Sequence, residues 1–195
     1  ESGSGKWVTS RAVLQPLPSP AAVYAGGSIL FSEDGSEPVN MLKAGRHTLQ
    51  DIRGNKIAMI FQEPMTSLNP VITCGEQIME AILSHKKISA VQARQQALEW
   101  MEKVKLPNPV ALFKRYPHQL SGGQKQRVMI AIALACQPPL VMADEPTMPL
   151  DVTIQAQVLD LLRELKERFN LALLLITHDF GVIAEMADRV AIMRA

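Results

Sequence analysis

The feature that most constrains the fold is a short, entirely apolar run that ends directly in two carboxylates. Leu140 to Ala143 carry no polar side chain, and Asp144 and Glu145 follow at once. Such a run is typical of a strand in a parallel sheet with both faces covered. Residues 152–169 then repeat apolar side chains at helical intervals, and residues 171–176 form a second apolar run, interpreted as another buried strand. This alternation predicts an α/β fold with a mostly parallel sheet flanked by helices.

A glycine-rich turn at the start of the chain predicts a phosphate site. Glu1-Ser2-Gly3-Ser4-Gly5-Lys6 has the form of a phosphate-binding loop that lacks its first glycine, and Lys6 opens a predicted helix through about Gln15. Backbone N–H groups of such a loop turn toward one anion, the helix dipole favours negative charge, and the lysine reaches the outer phosphates. Because turns rich in Gly, Ser and Lys are common, an ordinary turn stays open as an alternative for this motif alone.

The residue after this lysine departs from the phosphate-loop pattern. The pattern has Ser or Thr there, whose hydroxyl ligates Mg²⁺, whereas Trp7 offers only an indole N–H donor. Thr9 falls on the opposite face of the predicted helix and Ser10 lies about one turn further along, so neither hydroxyl is a ready replacement. Two hypotheses follow: the metal is held more weakly, or this copy is impaired.

Polar side chains follow each of the apolar runs. Gln62 follows the apolar run of residues 56–61. Asp144 and Glu145 follow the run of residues 140–143, and His178 lies just beyond the run of residues 171–176. The carboxyl ends of parallel strands share one edge of a sheet, where ligands bind. We expect Asp144 to hold Mg²⁺ and Glu145 to polarise the water that attacks the γ-phosphate of a nucleotide. The alternatives are a polar turn for the acidic pair and, for Gln62, a loop amide bonded to its own backbone.

A second predicted anion site begins at Leu120-Ser121-Gly122-Gly123-Gln124, which runs into a predicted helix over residues 125–136. Ser121 suits an N-cap, the two glycines allow close backbone approach, and the helix dipole favours an anion. Two phosphate-binding helix starts in one chain are unusual for a domain with a single nucleotide site. We infer that the two sites meet across a dimer.

The residues between the two predicted sites indicate a mainly helical region from about Met65 to Tyr116. Ser89 and Gln92 have the spacing of a capping box. Before this region, the polar, Gly-containing segment of residues 32–55 is interpreted as a surface excursion. The predicted apolar face after the capping box comprises Val91, Ala97, Leu98, Met101 and Val104.

Composition narrows the classes of partner. The formal net charge is +1, from 20 basic and 19 acidic residues, so no broad basic surface argues for nucleic acid or an anionic membrane. Cys74 and Cys136 have no partner at metal-ligand spacing, which favours two reduced thiols in a cytosolic protein. The longest apolar runs fall far short of the ~20 residues of a spanning helix, so any membrane role is expected through a partner. Because the chain opens inside the phosphate loop, we expect it to be a fragment of a longer protein.

Three sequence segments are the most specific part of a resemblance to known proteins that covers essentially the whole chain. They are Phe61-Gln62-Glu63-Pro64-Met65-Thr66-Ser67-Leu68-Asn69-Pro70, Arg115-Tyr116-Pro117-His118-Gln119, and Leu150-Asp151-Val152-Thr153-Ile154-Gln155-Ala156-Gln157. With the phosphate loop and the second glycine motif, they make the chain similar to the ATP-binding subunits of ABC transporters. More narrowly, it resembles those of bacterial oligopeptide, dipeptide, glutathione and nickel importers.

The resemblance implies a role for each matching motif. Glu1 to Lys6 would be the Walker A loop, which binds the phosphates of ATP, and Leu120 to Gln124 the signature, which closes on ATP held by the opposite subunit. The single residues would be the Q-loop residue Gln62, which contacts the metal and senses the γ-phosphate, the Walker B metal residue Asp144, the catalytic glutamate Glu145, the D-loop aspartate Asp151, and the switch histidine His178.

The resemblance also implies an architecture, cofactors and partners. Residues 1–64 and 137–195 would form a P-loop NTPase core, and residues 65–136 an inserted helical subdomain that includes the signature. The cofactors would be ATP and Mg²⁺. A second ATP-binding subunit, integral membrane permease subunits and, indirectly, an extracytoplasmic solute-binding protein would be the partners, with no nucleic acid. The chain would lie on the cytoplasmic face of the bacterial inner membrane, attached through the permease, and ATP hydrolysis would power import of peptides or related small solutes.

Three places depart from the family pattern. Trp7 replaces the Walker A hydroxyl, Met148 and Pro149 stand where the D-loop usually has Ser or Thr and then Ala, and Pro16 falls where the first helix would continue. An interior proline costs a helix ~3 kcal/mol. A catalytically impaired or decayed ATP-binding fragment is therefore the alternative hypothesis. A soluble ABC ATPase of translation or DNA repair is a third, against which the importer phrases and the absence of a basic patch argue.

Overall fold

The computed structural model describes residues 5–14, 26–35, 37–147 and 150–193, and for Trp7, Pro64 and Met65 it describes the backbone alone. Within these ranges, no helix is both long and apolar enough to cross a membrane. The elements, in chain order, are α1 (Lys6–Leu14), β1 (Leu30–Phe31), β2 (Val39–Asn40), α2 (Arg46–Ile52), β3 (Ile57–Ile60), α3 (Pro64–Ser67), α4 (Cys74–Leu83), α5 (Ala90–Lys103), α6 (Pro109–Phe113), a 3₁₀ turn (Pro117–Gln119), α7 (Gly122–Leu134), β4 (Leu140–Asp144), α8 (Val152–Phe169), β5 (Ala172–Ile176) and α9 (Phe180–Met186).

A parallel sheet with the order β3-β4-β5 forms the centre of the fold. Leu140 in β4 lies opposite Ile57 in β3 and Ala172 in β5, and all three strands run in the same direction. The α/β fold class and the parallel sheet are therefore confirmed. β1 and β2 form a separate antiparallel pair.

The two faces of the sheet bury different side chains, because successive residues of a strand point in opposite directions. On one face, the main core joins the sheet to the helices that lie between β3 and β4. On the other face, a smaller core surrounds the side chains of Ile57, Met59 and Met142. The main core includes the alternate strand residues Ala58, Ile60, Val141 and Ala143, with Val128, Ile130 and Leu134 of α7.

The smaller core overturns the interpretation of residues 32–55 as a surface excursion. Met41 is fully buried, and Leu49 and Ile52 on one side of α2 are buried with it against Leu14 of α1. The prediction was wrong because the few apolar residues among the polar ones are enough to build one buried side. The two apolar residues three positions apart supply that side of α2.

The strand predicted at residues 171–176 is present, but the prediction that it is buried is wrong. β5 forms as expected, but Leu174 is 46% exposed and the other residues of the strand are exposed or half-buried. Among the described residues, β5 pairs only with β4, so it is the outer strand of this sheet. An apolar run identifies a strand, but it does not tell whether a neighbour covers that strand.

Three helices between β3 and β4 start with a capping box, in which the N-cap hydroxyl and the third helical side chain bond each other's backbone N–H. The capping box predicted for α5 is confirmed. The predicted apolar face of α5 is correct only in part, because Ala97, Met101 and Val104 are buried whereas Val91 is 79% exposed. The capping pairs are Thr73 with Glu76, Ser89 with Gln92, and Ser121 with Gln124.

Gln126 is a fully buried amide inside α7, and in the part of the chain that the structure describes neither of its amide atoms has a hydrogen-bond partner. Burying such a group unsatisfied costs ~1–3 kcal/mol. We expect Gln126→Met, which keeps the length of the side chain, to raise the free energy of unfolding by ~1 kcal/mol, measured by denaturant titration.

Gln77 provides a matched control for this substitution. It is also buried, but its side chain accepts a hydrogen bond from the Asn69 N–H and donates to the carbonyls of Asn69 and Ile72. Gln77→Met should therefore lower the free energy of unfolding by ~1–3 kcal/mol, since it leaves backbone groups unsatisfied. Equal destabilisation by both substitutions would contradict the prediction for Gln126.

Candidate functional site

Four polar residues predicted from the sequence lie at the carboxyl edge of the sheet. Asp144 is the last residue of β4 and Glu145 follows it, while Gln62 and His178 each lie two residues beyond the end of β3 and β5. Parallel strands bring their carboxyl ends to the same edge, which explains this grouping. The side chains of three of these residues are directly hydrogen-bonded.

The carboxylate of Glu145 is held by a partner on each oxygen. The Gln62 amide nitrogen Nε2 donates to Oε2 at 2.9 Å, and His178 Nδ1 lies 2.8 Å from Oε1. The side chain of Glu145 is 20% exposed, so water can reach it. This arrangement fixes the orientation of a partly accessible carboxylate, as a general base requires.

The backbone of Glu145 adopts a left-handed conformation with φ of 43°. For a residue other than glycine this conformation costs ~1–2 kcal/mol. Its N–H donates to the Ile176 carbonyl at 2.9 Å, which extends the pairing of β4 with β5 by one residue. Packing against β5 therefore holds the turn that aims Glu145 between Gln62 and His178.

Asp144 is a carboxylate that the fold buries. Only 4% of the residue is exposed, and burial raises the pKa of its carboxyl group, with Glu145 adding to the rise and Arg11 opposing it. The raised pKa means that the fold binds the proton of this group more tightly than the unfolded chain does. As pH rises through the unfolded pKa, ionisation of Asp144 disfavours the folded state. A cation bound beside the carboxylate would offset that cost.

A cavity of about 440 Å³ opens beside Asp144. Arg11, from the second turn of α1, lies in its wall, with its guanidinium carbon 5.7 Å from the centroid of the Phe61 ring. Sequence reasoning did not identify Arg11, although its position four residues after Trp7 places the two positions on one side of α1. The residues that line the cavity are Arg11, Phe61, Gln62, Glu63, Thr66, Ser67 and Asp144.

The oxygen donors at this cavity fit Mg²⁺ that is bound together with a phosphate. In the described ranges, no three His, Cys, Asp or Glu side chains cluster in a way that could hold a metal ion. Mg²⁺ is usually bound by one or two carboxylates and by substrate phosphates, not by an all-protein cage. Asp144 supplies the carboxylate. The amide nitrogen of Gln62 bonds Glu145, so its amide oxygen is the atom that could bind the metal.

The phosphate loop leads into α1 as predicted for the residues that are described. Gly5 has φ of 79°, a conformation that glycine adopts without strain, and the Thr9 N–H donates to its carbonyl at 2.9 Å. The helix starts at Lys6 and packs against β4, the strand that ends in Asp144. The predicted loop residues 1–4 lie outside the described residues, as do Pro16, Met148 and Pro149.

The residues from Leu120 to Gln124 form a second, separate group that does not line the cavity. Ser121 caps α7: its hydroxyl accepts from the Gln124 N–H, and the Gln124 side chain accepts from the Ser121 N–H at 3.1 Å. Ser121 and Gly122 are exposed, whereas Leu120 is buried. The start of α7 at Ser121 and Gly122 is therefore accessible to a ligand from outside the cavity.

The start of α8 lies against this second group. A Cβ atom at Gly122 would meet the Leu150 side chain at 3.3 Å, and one at Gly123 would meet that of Ile154 in α8 at 2.9 Å, which would require a shift there. Asp151 occupies the N-cap position of α8 but makes no side-chain capping bond. Asp151 is exposed and directly follows Leu150, whose side chain lies beside Gly122 of the second group.

Known proteins resemble this chain along its whole length. The family model described as ABC transporter matches residues 1–148. The chain is 50% identical over 193 residues to the oligopeptide transport ATP-binding protein AppD of Bacillus subtilis (strain 168), and 47% identical over 195 residues to OppD, an oligopeptide transport ATP-binding protein of the same organism. These matches cover 99% and 100% of this chain but 57% and 53% of the relatives, so the chain spans about half their length.

A solved structure agrees with the sequence relatives. The ATP-binding cassette MJ0796, a dimer in a post-hydrolysis state bound to ADP and Pi, superposes with a TM-score of 0.77 at 29% identity. The match covers 93% of this chain and 73% of that one. With the carboxyl-edge cluster and the family model in agreement, the chain belongs to the ABC transporter family.

Proposed function

We propose that this chain binds and hydrolyses ATP within a subunit that powers an importer of peptides or related small solutes. The observation that carries the proposal is the Glu145 carboxylate, oriented by Gln62 and His178 directly after the buried Asp144. The relatives named as oligopeptide transport ATP-binding proteins support the narrower assignment to peptides. The family to which the chain belongs implies the ATPase activity.

The reaction assigned to this site is attack of water on the γ-phosphate. Glu145 would orient that water and accept its proton, and His178 would hold the Glu145 carboxylate from its other side. Glu1 to Lys6 would bind the phosphates through backbone N–H groups and the lysine ammonium. Mg²⁺, bound by Asp144 and Gln62, would neutralise charge that develops on the phosphates.

Dimer formation would complete the nucleotide site. Residues Leu120 to Gln124 at the start of α7, of which Ser121 and Gly122 are exposed, do not line the cavity of their own chain, which supports a role toward ATP held by a second subunit. Asp151, which is exposed and follows Leu150 beside Gly122, would join the dimer interface. The dimeric state of MJ0796 bound to ADP and Pi is consistent with this arrangement.

The remaining partners follow from the transport role. We assign residues 1–64 and 137–195 to the nucleotide-binding core and residues 65–136 to a helical subdomain that faces integral membrane permease subunits. The protein would then lie on the cytoplasmic face of the bacterial inner membrane, held there by the permease. An extracytoplasmic solute-binding protein would act on it indirectly, and no nucleic acid is expected as a partner.

Uptake of a labelled oligopeptide tests the proposed function. Cells of the source organism that lack the gene should lose ATP-dependent uptake, the wild-type gene should restore it, and a Glu145→Gln copy expressed at the same level should not. A Glu102→Gln copy, which removes an exposed carboxylate on α5, should restore uptake fully. Unchanged uptake of peptides and other small solutes in the deletion strain would contradict the transport role.

A further inference from the structure

The positively charged side chain of Arg11 lies in the wall of the cavity beside Asp144. Arg11 shares the wall of this cavity with Gln62 and Asp144, the two residues assigned to the metal. Its guanidinium lies over the Phe61 ring, with 5.7 Å between the guanidinium carbon and the ring centroid. A cation above an aromatic face is held in place without losing its charge.

The position of Arg11 on α1 favours a lean of its side chain toward the start of the helix. Side chains of an α-helix lean toward its N-terminus, and α1 starts at Lys6, where the loop ends. Arg11 therefore leans toward the end of the helix at which the nucleotide phosphates are expected. The guanidinium offers five N–H donors in a planar fork that matches two phosphate oxygens at once.

Trp7, one helical turn before Arg11, stands where the phosphate-loop pattern has a hydroxyl. A hydroxyl at this position would ligate the metal, but Trp7 carries no oxygen on its side chain. Positions 7 and 11 are one turn apart on α1 and so share one side of the helix. On that side of α1 the chain therefore has Trp7 where the pattern has a metal-ligating hydroxyl, and an arginine one turn later.

We propose that Arg11 binds the phosphates of ATP directly. Its guanidinium supplies part of the positive charge that Mg²⁺ provides in phosphate loops with a hydroxyl at this position. ATP binding by this chain therefore depends only weakly on a divalent cation. The inference rests on the proposed function, since it assumes that ATP occupies this cavity. Arg11 then carries out two tasks in one place. It balances the buried Asp144 carboxylate before the nucleotide arrives, and it bonds phosphate oxygens afterwards.

Equilibrium binding of a fluorescent ATP analogue to the purified full-length protein tests the inference. Titrations in excess EDTA and in excess MgCl₂ should give dissociation constants within about threefold of each other for the wild type. Arg11→Leu should weaken binding by at least tenfold in EDTA, because a charge-assisted bond to phosphate is lost, and by less in MgCl₂. Arg11→Lys, which keeps the charge but loses the planar fork, should fall between the two.

Two further variants complete the design. Trp7→Ser restores the hydroxyl and should tighten binding in MgCl₂ alone. Arg94→Leu is the matched control: Arg94 lies 5.1 Å from the Phe113 ring in the same kind of contact, but it is exposed on α5 and far in sequence from the site. It should change neither dissociation constant.

The outcomes separate this inference from the proposed function. Wild-type binding that depends on Mg²⁺ by tenfold or more, with no loss in EDTA for Arg11→Leu, would overturn the role of Arg11 and leave the ATPase proposal standing. Tighter Mg²⁺-dependent binding by Arg11→Leu would also overturn it, because Arg11 would then only block Asp144. Absence of ATP binding in both conditions would overturn the proposed function and the inference with it.

Discussion

Replacing Glu145 by Gln is expected to lower ATP turnover by about 100-fold or more while ATP binding is retained. General-base catalysis contributes ~10²–10⁴-fold to a rate, and the amide of glutamine cannot accept the proton of the attacking water. The substitution keeps the shape of the side chain, so its partners Gln62 and His178 stay in contact with it. Phosphate release by the full-length protein measures turnover, and titration with a fluorescent ATP analogue measures binding.

Glu102→Gln is the matched control for this experiment. It removes the same charge from an exposed position on α5 and should leave turnover within about twofold of the wild type. Turnover by Glu145→Gln equal to that of the control would remove Glu145 from the reaction. If the wild type itself shows no turnover, the impaired-copy hypothesis that Trp7 motivates would hold, and Trp7→Ser would be the variant in which to repeat the comparison.

The carboxyl edge of the sheet was predictable from the sequence because two simple patterns coincide there. Apolar runs of strand length are easy to find, and the polar residue that follows each one must lie at the shared edge if the strands are parallel. Gln62, Asp144, Glu145 and His178 are therefore placed correctly relative to one another. The helix start at Lys6 follows in the same way from the glycine before it.

The features that the sequence did not predict depend on neighbours distant in the chain. Glu145 adopts a left-handed backbone conformation with no glycine or asparagine to signal it, because its N–H completes the pairing with Ile176 of β5. In the sequence, Arg11 looks like an ordinary polar residue of a helix, because its neighbours Phe61 and Asp144 are distant in the chain. Exposure of β5 likewise depends on what covers a strand, which local periodicity does not report.

The two groups of site residues are joined through the main core, one at the carboxyl ends of the strands and the other at the start of α7. α7, which follows Leu120 and Ser121, packs against β3, whose carboxyl end leads to Gln62, and against α8, whose N-cap residue is Asp151. If residues 120–124 bind ATP as proposed, a rigid core would transmit their displacement to the edge of the sheet. Under the proposed function, the integrity of that core would therefore matter for the site as well as for stability.

Trp100 is the largest side chain in this core, and only 2% of it is exposed. On α5 it contacts Phe169, the last residue of α8, with 5.1 Å between ring centroids, and Lys103 lies 4.6 Å from its ring centroid. The contact joins the helical region to the helix that leads directly into β5. Aromatic pairs of this kind add ~0.5–1.5 kcal/mol to the gain from burial.

Trp100→Ala is expected to lower the free energy of unfolding by ~3–5 kcal/mol, because it removes a buried indole and leaves a cavity that neighbouring helices fill only in part. For a domain of this size such a loss corresponds to a fall of roughly 6–20 °C in melting temperature. Trp100→Phe, which keeps an aromatic partner for Phe169, should cost less than half as much. Val91→Ala, on the exposed side of the same helix, should change stability by under ~0.5 kcal/mol. Equal melting temperatures for Trp100→Ala and Val91→Ala would show that α5 does not anchor the helical region to α8.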